Sequence, residues 1–168
     1  MDSAELIILA KLAIAMVLGG VLGLERELVR ESAGLRTHML IAGSAALIAG
    51  LAHLLAADFS DESFRELVRI DPVRVVEAVV AAVGFVAAGT ILKRPEGQEV
   101  QGLTTAASLL MAAALGIAAG LGHYILAIGA TLLSAFVLGV LRVVERRYLA
   151  ARCDGEVAVR PSPRGNAR

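Results

Sequence analysis

Tryptophan is missing from the chain, cysteine occurs once, proline four times, and the two signs of charge cancel. Each scarcity closes a route. The single Cys153 cannot form an internal disulfide, and in its Arg-rich surroundings it reads as an ordinary reduced thiol. Lys plus Arg number 16, as do Asp plus Glu, so no basic excess points to nucleic acid and none is expected as a partner. No nucleophile motif, P-loop, dinucleotide fingerprint or cysteine metal pattern is present, so neither an enzyme nor a cofactor is expected. What fills the chain instead is small and apolar. Hydrophobic residues make up 57%, there are 17 glycines, aromatics make up only 4%, and the mean hydropathy is +0.74. That exceeds the apolar share of a soluble domain. Small residues at this density suit helices that approach closely in lipid.

Five apolar runs follow one another: Leu6 to Leu24, Leu35 to Ala57, Val73 to Leu92, Leu103 to Gly122 and Tyr124 to Leu141. Each is about 18 to 23 residues, enough to cross ~30 Å of hydrocarbon as a helix. The expected fold is all-α, a polytopic membrane helix bundle of about five transmembrane helices. Residues 1–150 would form the membrane domain and 151–168 a disordered Arg, Pro and Gly-rich tail. The opening "MDSAEL" is acidic, unlike a secretory signal, so the first run is read as a retained span. With the N-terminus outside and the C-terminus cytosolic, twelve Lys and Arg fall on the inner side and three on the outer, leaving aside Lys11. Lys11, within the first run, is expected to reach along its stem toward the outer surface. Small residues four apart (Gly19 and Gly23, Ala46 and Gly50, Gly84 and Ala88, Gly116 and Gly120) favour a tight bundle, within one chain or in a homo-oligomer.

Two polar regions stand out. On the cytoplasmic side, "GLERELVRESAGLRTHML" sets Glu25 and Arg26 directly after an apolar run and Arg36, Thr37 and His38 at the start of the next. Its six charges sum to zero. The second cytoplasmic connection, "KRPEGQEVQGLTTAASL", has a turn signal at Pro95-Glu96-Gly97 and cap candidates at Thr104 and Thr105. Gly102 would admit another backbone or a ligand. The two stretches are expected to meet in one cytoplasmic site of Glu25, Arg26, Arg36, Thr37, Thr104 and Thr105. It is either an ion-paired joint, with Glu25 as a partner for Arg36, or a site for an anion or a protein partner. On the outer side, "DFSDESFRELVRIDP" reads as a surface helix with a Ser63/Glu66 capping box and Pro72 in the next helix's first turn. Around it lie His53, Asp71, Arg74, Glu77 and His123. A hard cation on Asp71 and Glu77 competes there with plain pairing to Arg74, so a metal stays undecided. His38 and His53, about 22 Å apart on one helix, cannot share a zinc ion.

The motifs "GLERE" (Gly23 to Glu27), "AGLRTH" (Ala33 to His38), "DPVR" (Asp71 to Arg74), "GFVAAGTIL" (Gly84 to Leu92) and "GLTTAAS" (Gly102 to Ser108) resemble, in order, those of the MgtC/SapB family. The resemblance implies a multi-pass protein of the bacterial inner membrane. It implies association with survival at low Mg²⁺, with virulence inside host cells and, in some members, with acid stress. It further implies action on other membrane proteins, the rotary ATP synthase among them, rather than Mg²⁺ transport. The chain departs from the pattern at Glu77, Ala81-Ala82, Ala87 and Gln101. Only about 25 residues follow the fifth run, where some members carry a folded cytosolic domain, so virulence-type activity that needs it is not carried over. The function expected from these readings is a non-enzymatic modulator of a membrane partner under Mg²⁺ limitation or acid stress. A small ion transporter or channel subunit using Asp71 and Glu77 is the alternative.

Overall fold

The computed structural model describes residues 3–58, 71–91 and 101–157. They form five helices: α1 Ser3–Leu28, α2 Leu35–Asp58, α3 Pro72–Ala88, α4 Leu103–Gly120 and α5 Tyr124–Val157. No strand occurs among the described residues. By length and composition α1, α2, α4 and α5 can each cross a membrane. α3 has 17 residues, about 26 Å of helix at ~1.5 Å per residue. The segments expected to form a surface helix with a Ser63/Glu66 cap and a turn at Pro95-Glu96-Gly97 lie outside the described residues.

Boundaries move where local chemistry outweighs hydropathy. α1 does not stop at Leu24 but runs through Glu25, Arg26 and Glu27, because Glu and Arg are good helix formers and no breaker intervenes. It ends in a Schellman turn. The Arg30 N–H donates to Glu27 O at 3.0 Å and the Glu31 N–H to Arg26 O at 3.2 Å. Arg30 takes the left-handed position, with φ 61°, that usually belongs to glycine. α4 closes with the same motif, using Gly122 at φ 89°. α3 opens as expected, with Pro72 in its first turn and Asp71 Oδ1 accepting from the Val73 N–H at 2.9 Å. α4 opens on Gly102 at φ 93°, not on a threonine cap. A Cβ at Gly102 would collide with Thr90 O, so this is the close backbone approach that the glycine allows.

The chain divides into two compact units, Met1–Ala135 and Phe136–Arg168. The second holds the later part of α5, whose helix continues to Val157. Residues 151–157 of the expected tail are therefore helical, and 158–168 lie outside the described residues.

In the first unit α1 and α2 form a hairpin with α4 against both. Its core is mostly alanine: Ala15, Ala42, Ala46, Ala112, Ala119 and Ala127 in one cluster, with Ala33, Ala45, Ala113, Leu109 and Val79 in another. Helices this close need small residues at the crossing. A Cβ at Gly19 would lie 2.6 Å from His38 O, and one at Gly120 2.6 Å from Ala46 O. The glycine pairs of α1 and α4 thus mark contacts within the chain. Gly84 of α3 meets nothing within 4 Å.

Candidate functional site

The Schellman turn of α1 directs the chain back so that Glu31 reaches α4. The Thr105 hydroxyl donates to Glu31 Oε2 at 2.8 Å across 74 residues of sequence. The other Glu31 oxygen lies 3.8 Å from Arg26 Nη2. Arg26 itself is buried, and its Nε donates to Glu25 Oε2 at 2.9 Å. The two polar stretches therefore meet at one end of the bundle, joined through Glu31. Arg26 Nη1 is also buried and finds no hydrogen-bond acceptor among the described residues.

A second layer fixes the start of α2. Its first turn has N–H groups with no helical partner. Glu27 Oε2, from the last turn of α1, accepts the Leu35 N–H at 2.8 Å and so caps α2 from another helix. A side chain on Gly34 would run into that carboxylate. One turn on, His38 is fully buried. Its Nδ1 lies 2.9 Å from Gly34 O, which can only accept, so Nδ1 carries the proton. Its Nε2 lies 2.9 Å from Ser108 Oγ, whose hydroxyl donates to Thr105 O at 2.8 Å. This gives α2 and α4 a second polar tie beside the Glu31 bridge.

Of the residues the sequence singled out on this side, Glu25, Arg26 and Thr105 are in the cluster. Arg36 is exposed and makes no ion pair with the described residues, and Glu25 takes Arg26 as its partner instead. The reason is proximity: Glu25 and Arg26 are consecutive on α1, whereas Arg36 lies across the α1–α2 turn. Thr37 is half-buried on the first turn of α2 and Thr104 is exposed on that of α4. Thr105 serves Glu31 and does not cap α4, correcting the cap expectation. Glu27, Glu31, His38 and Ser108 were not selected from sequence as site residues. The three-residue spacing of Thr105 and Ser108, which puts both on one face of α4, was the available signal.

The other end is looser. Arg74 Nε is 4.0 Å from Asp71 Oδ2, with both side chains exposed. His53, Glu77 and His123 are exposed as well. Among the described residues no group of three or more His, Cys, Asp or Glu could hold a metal ion. Lys11 reaches toward this end, as expected, and finds a partner there: its Nζ donates to Gly120 O at 3.0 Å, capping the C-terminus of α4 where the helix dipole favours a cation.

Between these ends the bundle is apolar. From Ser108 to Gly120 along α4 is about 18 Å at ~1.5 Å per residue. The buried side chains over that length are Leu109, Ala112, Ala113, Leu115 and Ala119, faced by Ala42, Ala45 and Ala46. Thr131 is buried on α5, and its hydroxyl donates to Ala127 O at 2.8 Å.

Comparison with known proteins agrees with the motifs. The model of the MgtC family matches residues 12–147, and the chain belongs to that family. Protein SapB of Bacillus subtilis (strain 168) is 39% identical over 117 residues, 70% of this chain and 49% of its own length. Protein MgtC of Brucella abortus (strain 2308) is 39% identical over 133 residues, 79% of this chain and 50% of its own. YhiD of Escherichia coli (strain K12), whose name carries a provisional magnesium-transporter description, is 37% identical over 147 residues, 88% of this chain and 65% of its own. The chain thus spans about half to two thirds of the length of these relatives. No solved structure matches it.

Proposed function

Taking membership of the MgtC family as the premise, we propose that this membrane protein acts by contact, modulating a membrane partner under Mg²⁺ limitation or acid stress. The observation that carries this reading is the separation of its polar ends by an alanine- and leucine-filled layer. An ion path through one chain needs polar groups spaced along the span. Here they collect at the ends, and the buried Thr131 hydroxyl between them is engaged by its own helix. The end built from Arg26, Glu31, His38 and Thr105 is preassembled by ion pairs and hydrogen bonds that lock α1, α2 and α4 together. Around it Arg36 and Thr104 remain exposed. An exposed guanidinium and hydroxyl suit docking of an acidic or carbonyl-rich surface at the cytoplasmic face.

The reading is tested by growth at low Mg²⁺ and at low pH in a strain lacking the gene. Arg36→Ala with Thr104→Ala should lose complementation while membrane levels and thermal unfolding stay at wild type, since neither residue supports the bundle. Full complementation by this folded variant would defeat the proposed surface. The same reading requires Cys153 to be labelled only after permeabilisation, and a cysteine introduced at Glu62 to be labelled without it.

A further inference from the structure

The ring of His38 is fully buried, and both its nitrogens face oxygens: Nδ1 lies 2.9 Å from Gly34 O and Nε2 2.9 Å from Ser108 Oγ. Ser108 Oγ in turn lies 2.8 Å from Thr105 O. Gly34 O and Thr105 O are carbonyls and only accept. A neutral ring carries one proton, which Nδ1 gives to Gly34 O. The single proton of the Ser108 hydroxyl then faces two acceptors, Nε2 and Thr105 O. Given to Thr105 O, it leaves the Nε2 lone pair against an oxygen lone pair in a buried site. Given to Nε2, it leaves the contact with Thr105 O without a hydrogen. A ring with two protons removes the shortfall: Nε2–H donates to Ser108 Oγ, the hydroxyl donates to Thr105 O, and each contact is filled with the heavy atoms where they stand.

The charges at this end come from α1 and the turn after it. Arg26 opposes a cation on the ring, and its ion-pair partners Glu25 and Glu31 offset it. The positive N-terminus of α2 opposes it too, and Glu27 caps that terminus with a carboxylate. Arg30 and Arg36 are exposed, where water and salt screen them. α4 meets the ring through Ser108 and has no titratable side chain over Leu103–Gly120. Burying a charge still costs free energy, so the ring stays neutral until the surroundings turn acidic.

We propose that His38 is an acid-operated clasp between α2 and α4: on acidification the ring takes a second proton, becomes a donor to Ser108, and turns that contact into a charge-assisted hydrogen bond. The clasp acts on the same joint that Glu31 and Thr105 build, so it firms this end of the bundle in acid. It is independent of what docks there and is read on the isolated chain.

The test uses the full chain, with isotopically labelled histidine, in phosphatidylcholine vesicles. Solid-state NMR follows the ring nitrogens from about pH 8 to about pH 5, the range over which histidine titrates. His53 and His123, exposed at the other end, are the references. In the wild type, His38 should carry a proton on Nδ1 alone at high pH and on both nitrogens at low pH, with the bundle folded throughout. Ser108→Ala removes the acceptor of the second proton. It should weaken proton uptake at His38 about tenfold, a move of about one pH unit toward acid, as for the loss of a hydrogen bond to a charged group. His53 and His123 should not move. Unfolding gives a separate reading. A bond to the charged ring stabilises the fold only where the ring is charged, so the lead of wild type over Ser108→Ala in thermal midpoint should widen as pH falls through the His38 transition. A ring that stays singly protonated at every pH at which the bundle is folded would overturn the proposal, and that arm needs no substitution. So would a Ser108→Ala transition that is unmoved or less acidic, the mark of a hydroxyl donating to a neutral ring, or a lead that is constant with pH.

Discussion

The Thr105 hydroxyl donates to Glu31 at 2.8 Å, joining the turn after α1 to the first turn of α4. The acceptor is a carboxylate and Thr105 is fully buried, so the bond is charge-assisted and stronger than a neutral one. Thr105→Val preserves shape and removes the donor. It should destabilise the bundle by about 1.5–3 kcal/mol, the range for a hydrogen bond to a charged group. Reversible unfolding in mixed micelles reads this directly. A double cycle with Glu31→Ala should show positive coupling, and strictly additive losses would mean the two side chains act independently.

Arg26 is the hub of the same cluster. Replacing it with Leu removes the cation from beside Glu25 and Glu31 and should cost about 3 kcal/mol, as for a buried pair that loses one partner. Arg26→Lys keeps the charge but not the planar fork, and should fall between Leu and wild type. If Lys unfolds as readily as Leu, geometry rather than charge holds the joint.

Arg30 offers a change in the other direction. A non-glycine residue in the left-handed region costs roughly 1–2 kcal/mol. Arg30→Gly should therefore raise stability by about 1 kcal/mol and leave complementation intact. A folded Arg30→Gly protein that no longer complements would give the Arg30 side chain a role beyond the turn.

Gly84 and Gly116 share a residue type and differ in surroundings. A Cβ at Gly116 would strike Ala42 O, so Gly116→Ala should sharply lower the folded level in membranes. Gly84 has open space, so Gly84→Ala should be neutral or gain up to about 1 kcal/mol from helix propensity. Should Gly84→Leu alter the oligomeric state in detergent while the monomer stays folded, that face of α3 is a contact between copies.

Much of this was legible in the sequence, and unevenly. Hydropathy located all five helices because lipid leaves backbone groups no other way to pair. The glycine pairs of α1 and α4 were readable because their spacing is what close crossing requires. The meeting of the two polar stretches was also foreseeable, from the caps and charges at both. Its internal wiring was not. Glu31 looked like one charge of six in a connection until the left-handed turn at Arg30 aimed it at α4, and no residue type announces that turn when the position is not glycine. Arg36, the more conspicuous charge at a helix start, stays in the open. His38 stands in the sequence only as a polar residue at the start of an apolar run, and three-dimensional contact with Ser108, 70 positions away, makes it a tie between helices. Lys11 has the same history: its hydrogen-bond partner, Gly120 O, belongs to the end of α4, 109 residues further on.

The claim that the protein acts by contact and moves no ions is tested most directly with purified chain in sealed vesicles containing a Mg²⁺-sensitive dye. An inward Mg²⁺ gradient is imposed with and without a membrane potential. The account predicts Mg²⁺ entry equal to that of protein-free vesicles at every protein density. Entry that rises in proportion to protein and falls on Glu77→Gln would contradict it and make α3 part of a transport path.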